Sequence, residues 1–218
     1  MGNRQMRKKH GTVAVLASGG VDSACLIDWA AARARAVQPI YVSFGLRWER
    51  AEKNAMRRFI RAMRQPNVRP AVVLQLPVRD LYESHWGFTG RGIPGRRSRD
   101  AAVYIPGRNL LLLSKASVYC AARGIETIAI GTLSANPFRD ATPDFFSTFS
   151  RLASKALDRP IRVIAPFRRW TKYRLIRAHA HLPLDICFSC LHPAGDKPCG
   201  RCNKCEEWMK ASKKSSNQ

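Results

Sequence analysis

Two groups of residues in this 218-residue chain have the types and spacing to do chemistry. The first is Ser18-Gly19-Gly20-Val21-Asp22-Ser23, which follows the apolar run TVAVLA at 12–17 and precedes an Ala-rich stretch with helical character. Paired glycines reach backbone conformations closed to other residues and leave the approach path clear. Ser18 and Ser23 offer hydroxyls, and a helix start offers free N–H groups at a positive dipole end. Such a turn holds an anion. Asp22 would repel a phosphate, so the expected go-between is a divalent cation such as Mg2+. The bland alternative is a plain glycine turn with Asp22 and Ser23 as helix caps.

The second group is Cys190, Cys199, Cys202 and Cys205, spaced C-x8-C-x2-C-x2-C. Four thiolates meet the coordination number and softness that Zn2+ prefers. With every position filled by protein, the site would be structural and closed to water. An iron–sulfur cluster takes the same ligands, and reduced free thiols are the bland reading. Cys187 makes a further C-x2-C with Cys190 and is a rival ligand, whereas Cys25 and Cys120 fall on helical faces and read as core. Five of the seven cysteines lie between 187 and 205 in a sequence with no evident secretion signal, which favours metal over disulfides.

Positioning these groups requires a parallel sheet. Strand-like runs at 12–17, 39–44, 71–76, 126–130 and 161–165 alternate with helical patterns at 23–36, 49–63, 110–122, 143–157 and 171–181. That alternation predicts βαβ units with right-handed crossovers, an α/β Rossmann-like sheet of about five strands with helices on both faces. The Gly-, Pro- and Arg-rich stretch 84–100 lacks periodicity and reads as a long mobile loop. Residues 210–218 are Lys- and Ser-rich and read as a frayed tail.

Lys and Arg number 38 against 15 Asp and Glu, a formal charge of +23 that attracts polyanions. The arginines are scattered rather than gathered in one stripe, which equally fits background composition; the densest group is RGIPGRRSR at 91–99. The sequence has no apolar run of about eighteen residues or more, so no membrane span is expected and the protein reads as soluble and cytoplasmic.

SGGVDS after an N-terminal strand resembles the PP-loop of the N-type ATP pyrophosphatases, which adenylate a carboxylate or carbonyl oxygen and release pyrophosphate. Joined to FGLRWERAE at 44–52, IPGRN at 105–109, IGT at 130–132, WTK at 170–172 and CLHPAGDKPCGRCNKC at 190–205, it resembles the 7-cyano-7-deazaguanine synthase (QueC) family over nearly the whole chain. The resemblance implies a PP-loop ATP-binding domain at 1–183, a zinc-binding segment at 184–210 and a disordered tail at 211–218. It implies a ligase using ATP, Mg2+ and Zn2+ that activates 7-carboxy-7-deazaguanine and, with ammonia from solution or a separate subunit, forms the nitrile. Ser18, Gly19, Gly20, Val21, Asp22 and Ser23 would hold the pyrophosphate end of ATP, with Ala17, Ala24, Cys25, Leu26 and Ile27 completing the nucleotide contact. Lys172 would neutralise charge on the phosphates, Asp22 and Lys172 forming the catalytic pair. Arg108 and Asn109 would line the cleft, Asn109 starting a helix.

The sequence departs from the family at 133–144, where an acidic residue and a base-reading segment are expected and LSANPFRDATPD stands instead. Asp140 or Asp144 is a candidate replacement. A different acceptor therefore stays open, as does modification of a protein, tRNA or DNA. So does a non-catalytic nucleic-acid-binding zinc protein, and so does a homodimer.

Overall fold

The computed structural model describes residues 10–216, and side chains over 11–211. Five parallel strands form one sheet in the order β3-β2-β1-β4-β5. They are β1 (His10–Leu16), β2 (Ala34–Ser43), β3 (Val72–Gln75), β4 (Thr127–Ala129) and β5 (Arg162–Ile164). The helices are α1 (Val21–Ala31), α2 (Glu49–Met63), α3 (Trp86–Thr89), α4 (Arg108–Ala121), α5 (Pro143–Leu157), α6 (Lys172–Ala178) and α7 (Asn203–Ser216). The chain leaves β1 toward β2 and β3, then returns to pair β4 on the other side of β1. The crevice between the carboxyl ends of β1 and β4 is thus the switch point at which open parallel sheets bind ligands.

Alternation along β1 sends Val13, Val15 and Ala17 to one face and Ala14 and Leu16 to the other. The first face packs on α1, α6 and the apolar stripe Met56 and Phe59 of α2; the second packs on Leu113, Ala116 and Cys120 of α4 and Phe146, Phe149 and Ala153 of α5. Cys25 and Cys120 are fully buried in these cores, as expected.

Three expectations need correction. Residues 32–36, which the Ala-rich pattern assigns to a helix, turn at 32–33 and enter β2, where Ala34 pairs with His10. Sheet pairing outweighs the small helical preference of alanine. Segment 84–100 is ordered. Trp86 stacks on Trp48 at 5.4 Å, Phe88 is buried, Gly95 forms a bridge with Cys202, and Pro94 O accepts from Asn203 N at 3.0 Å. Its glycines and prolines shape a strap rather than a free loop. Residues 210–216 continue α7, with Ala211 buried and Lys210 3.6 Å from Glu206 one turn back; residues 217–218 lie outside those described.

Candidate functional site

A cleft with about 290 Å³ of free volume opens at the switch point. Its floor is the turn after β1. Ser23 Oγ accepts from Ser18 N at 3.2 Å and donates to Gly20 O at 2.8 Å, while Ser18 Oγ accepts from Gly20 N at 3.4 Å. Gly19 adopts φ 77°, and a Cβ there would sit 2.3 Å from Glu52 O of α2, so no other residue fits without displacing backbone. Gly20 caps α1 without a side-chain hydrogen bond, and the first-turn residues Val21, Asp22 and Ser23, whose N–H groups have no intrahelical acceptor, all line the cleft.

Of the residues read from the sequence, Ala17, Ser18, Gly20, Val21, Asp22 and Ser23 line this cleft with Lys172, Arg108 and Asn109. Gly19 lies behind it, wedged against α2 and held by Phe188 N, which donates to Gly19 O at 2.9 Å. Ala24, Cys25, Leu26 and Ile27 do not reach the cleft. Past its first turn α1 is enclosed by sheet and helices on all sides, and these four side chains are 0–2% exposed in the core. Cys25 is also a neutral thiol, since burial first and Asp22 second push its pKa well above the ordinary value.

Asp22 and Lys172 meet. Lys172 Nζ lies 2.8 and 2.9 Å from the two Asp22 carboxylate oxygens and 3.2 Å from Glu207 Oε1. Burial alone would pull the ammonium down, but Asp22 and then Glu207 outweigh it and hold the Lys172 pKa above the ordinary lysine value. Behind Asp22 lies Gly131, just after β4, where a Cβ would meet Asp22 Cβ at an ordinary contact distance of 3.4 Å.

On the opposite wall α4 starts at Arg108, one residue before the expected Asn109. Asp140 caps it, accepting from Asn109 N at 2.9 Å, and Asn109 Nδ2 donates to Asp140 O at 3.0 Å. Asp140 therefore lines the cleft with its carboxylate engaged, and Asp144 is exposed in the first turn of α5, outside the cleft lining. Arg108 Nε is buried without a hydrogen-bond partner among the described residues. Phe138 stacks on Tyr104 at 4.9 Å at the cleft mouth.

Sequence reasoning assigned no role to Glu49 and Glu52. Glu49 is buried and accepts from Ser43 Oγ, Phe44 N at 2.6 Å and Gly45 N at 3.1 Å, tying the end of β2 to α2. Glu52 Oε2 accepts from Tyr41 Oη at 2.6 Å. Burial pushes its carboxyl up to about 7, against the pull of Arg108 and the Tyr41 hydrogen bond. Two acids at i, i+3 behind a strand-ending glycine were the available signal. Because the raised carboxyl stays protonated in the fold while the unfolded chain ionises, its stabilising contribution is complete below about pH 4.5 and is lost as pH rises through about 7. Glu52→Gln removes that loss. The variant should gain about 1–2 kcal/mol over wild type between pH 5 and pH 8, a figure discounted for water in the cleft. Thermal melts at the two pH values check this, and a stability difference independent of pH would sink it.

The four cysteine sulfurs of Cys190, Cys199, Cys202 and Cys205 lie within 4.8 Å of one another. Sγ of Cys202 is 3.5 Å from that of Cys205 and 4.0 Å from that of Cys190. Tetrahedral zinc with ~2.3 Å bonds sets sulfurs ~3.8 Å apart, so the donor set fits. Backbone N–H groups of Leu191, His192, Cys199 and Arg201 point at these sulfurs at 3.3–3.5 Å, as thiolates require. Cys187 stands outside the group, and burial pushes its thiol up to about 12.

The Arg-rich residues 91–99 are absent from the cleft lining. They pack on the cysteine segment, where Arg96 Nε donates to Gly200 O at 2.9 Å and lies 3.6 Å from Glu206. Arg91, Arg97 and Arg99 point outward as exposed, separate cations. Weak and diffuse nucleic-acid binding is therefore expected. Titration of tRNA and duplex DNA at two salt concentrations should barely distinguish wild type from a variant with all four arginines changed to Ser. Tight binding at physiological salt that vanishes in the variant would reverse this.

A doubly wound parallel sheet with a Ser-Gly-Gly-Val-Asp-Ser turn at its switch point, closed by a four-cysteine segment that could hold a metal ion, defines a PP-loop protein of the Rossmann-like class. The chain belongs to the QueC family: the family described as queuosine biosynthesis protein QueC matches residues 12–216. It is 28% identical over 203 residues to 7-cyano-7-deazaguanine synthase 1 of Desulfitobacterium hafniense, covering 91% of this chain and 90% of that one. To the 7-cyano-7-deazaguanine synthase of Anaeromyxobacter dehalogenans it is 30% identical over 206 residues, covering 88% and 86%. Among solved structures, one described as a predicted subunit of tRNA methyltransferase from Methanocaldococcus jannaschii shares the fold, with a TM-score of 0.51, 15% identity, and coverage of 78% of this chain and 74% of that one. No helix among the described residues is long and apolar enough to cross a membrane.

Proposed function

We propose that the protein is an ATP-dependent carbon–nitrogen ligase that adenylates the carboxylate of 7-carboxy-7-deazaguanine and, with ammonia, converts it through the amide to 7-cyano-7-deazaguanine. The observation that carries this reading is the phosphate turn at the switch point facing Lys172 across Asp22, in a chain whose relatives bear that synthase name. Ser18 and Ser23 and the first-turn N–H groups of α1 bind the departing pyrophosphate, and Lys172 offsets its growing charge. A carboxylate oxygen of the substrate attacks the α-phosphorus, the bond to pyrophosphate breaks, and ammonia then displaces AMP from the acyl adenylate. A second activation, of the amide oxygen, ends with loss of AMP and a proton to give the nitrile. Asp22 is the residue suited to hold Mg2+, which supplies charge neutralisation at the phosphates. Cys190, Cys199, Cys202 and Cys205 suit Zn2+ in a structural role.

A specific observation favours a second acceptor. Residues 133–139 carry no carboxylate, Asp140 is engaged by Asn109, and Asp144 lies outside the cleft lining. A base-reading acid in the place the family uses is therefore missing, and a QueC-like enzyme that adenylates another acceptor, modifying a protein, tRNA or DNA, fits the same loop. Mass spectrometry after incubation with ATP, Mg2+, ammonia and 7-carboxy-7-deazaguanine separates the two. The nitrile with AMP supports the first reading; AMP released only when RNA, DNA or protein is added supports the second. Absence of AMP under all conditions would leave a zinc protein without ligase activity.

A further inference from the structure

The four-cysteine segment reaches into the cleft as well as closing on itself. Lys204 and Glu207 flank Cys205 at the start of α7, and both line the cleft. Glu207 uses one oxygen for each of two ammonium groups from different helices: Oε2 lies 2.7 Å from Lys204 Nζ, and Oε1 lies 3.2 Å from Lys172 Nζ. Lys172 in turn is 2.8 Å from Asp22. An alternating row of charges, Lys204, Glu207, Lys172 and Asp22, thus runs from the cysteine segment to the phosphate turn.

An exposed ion pair would carry little weight, but this row is enclosed: the side chains of Lys172 and Glu207 are 17% and 30% exposed. The two cations in it differ in what they have left to offer. Lys172 is shared between two carboxylates, one of them in the phosphate turn itself. Among the described residues Lys204 is paired with Glu207 alone, and its side chain, in the cleft lining, is 33% exposed. An ammonium has three donors, and one carboxylate oxygen uses only one of them.

We propose that Lys204 is a second phosphate-facing cation of this site and that Glu207 is its positioning residue, holding Lys204 and Lys172 at a fixed spacing beside the turn. The ligand is a polyphosphate: the triphosphate of the nucleotide, or the pyrophosphate it releases. This rests on the reading of the cleft as a nucleotide site. The four-cysteine segment then contributes donors to that site in addition to bracing the fold.

The test uses the full, metal-loaded chain. Calorimetric titration with ATP, inorganic pyrophosphate and adenosine, each with Mg2+, compares wild type with Lys204→Gln, Lys204→Arg and Glu207→Gln, with bound metal counted in every preparation. Lys204→Gln should weaken ATP and pyrophosphate about tenfold, the scale of one charge-assisted hydrogen bond, and leave adenosine unchanged. Lys204→Arg should restore most of the loss, a rescue that simple bracing of the cysteine segment does not predict for pyrophosphate alone. Glu207→Gln should weaken pyrophosphate severalfold at unchanged metal content. If a Lys204 variant loses metal, wild type decides the matter: pyrophosphate, and not adenosine, should protect Lys204 from acylation, as read by mass spectrometry. Wild type that binds neither ATP nor pyrophosphate overturns the nucleotide reading and this inference with it. Wild type that binds both while Lys204→Gln binds them equally, or Lys204 that acylates at the same rate with pyrophosphate present, overturns the inference alone.

Discussion

Cys202→Ser should strip the bound metal and lower the melting temperature by about 10 °C. Structural zinc contributes of order 10 kcal/mol in small sites. Losing one thiolate of four forfeits a large part of that, at least about 3 kcal/mol, and ~2–4 °C accompanies each kcal/mol in a chain of this size. Cys202 is the severest choice because its sulfur is the nearest neighbour of two others, at 3.5 and 4.0 Å, and accepts from Leu191 N at 3.4 Å. It is also 2% exposed, and its backbone bridges to Gly95 of the strap. Metal analysis and thermal melts with and without a chelator check this. Wild type should hold about one Zn2+ per chain, and a chain that stays folded and equally stable after exhaustive chelation would remove the claim.

Asp22→Asn should leave the fold standing and cut AMP formation by about 10²–10³-fold, the range for removing one preorganised charge-stabilising group. The fold survives because Asn keeps the shape against Gly131 and because Lys172 retains Glu207 at 3.2 Å, so no buried ammonium is stranded. The expected cost in stability is about 1 kcal/mol. Activity does not survive, because the lost carboxylate is the one that would hold a cation at the phosphates and steady Lys172 through two contacts. Pyrophosphate release, measured beside circular dichroism and melting, separates the effects. Full turnover in Asp22→Asn would make SGGVDS a plain glycine turn.

The strand-and-helix alternation and both chemical groups were legible in the sequence because each rests on local pattern. Strand β1, the glycines after it and the spacing of four cysteines need no knowledge of what lies across the molecule. The misreadings share one physical cause, which is that tertiary partners decided them. Residues 34–36 look helical until β1 offers hydrogen bonds. Segment 84–100 looks mobile until Trp48 and the cysteine segment cover it. Ala24 to Ile27 look like nucleotide contacts by proximity to the turn, yet a helix can show only one side to a cleft and α1 is wrapped on the rest. Glu52, Lys204 and Glu207 escaped because a charged residue in a helical pattern reads as solvated surface. Only the fold brings Glu52 to Tyr41 and Glu207 to Lys172, 35 residues away in sequence.

The path of Phe188 through Leu191, which forms one side of the cleft and hangs on Gly19 O, bears on how the protein is made. On the ribosome, the sheet is complete once β5 at Ile164 has emerged, but the wall that shuts the cleft is translated afterwards, and if its cysteines hold zinc as proposed it also needs that metal to take shape. Ligand competence thus comes last. On that reading, a cell short of zinc would accumulate molecules whose sheet is formed and whose cleft stands open on one side, without the wall proposed to help hold nucleotide and with the apolar edge that Phe188 and Leu191 normally cover exposed. Metal supply would then set the amount of working protein after synthesis, without any change in how much is made.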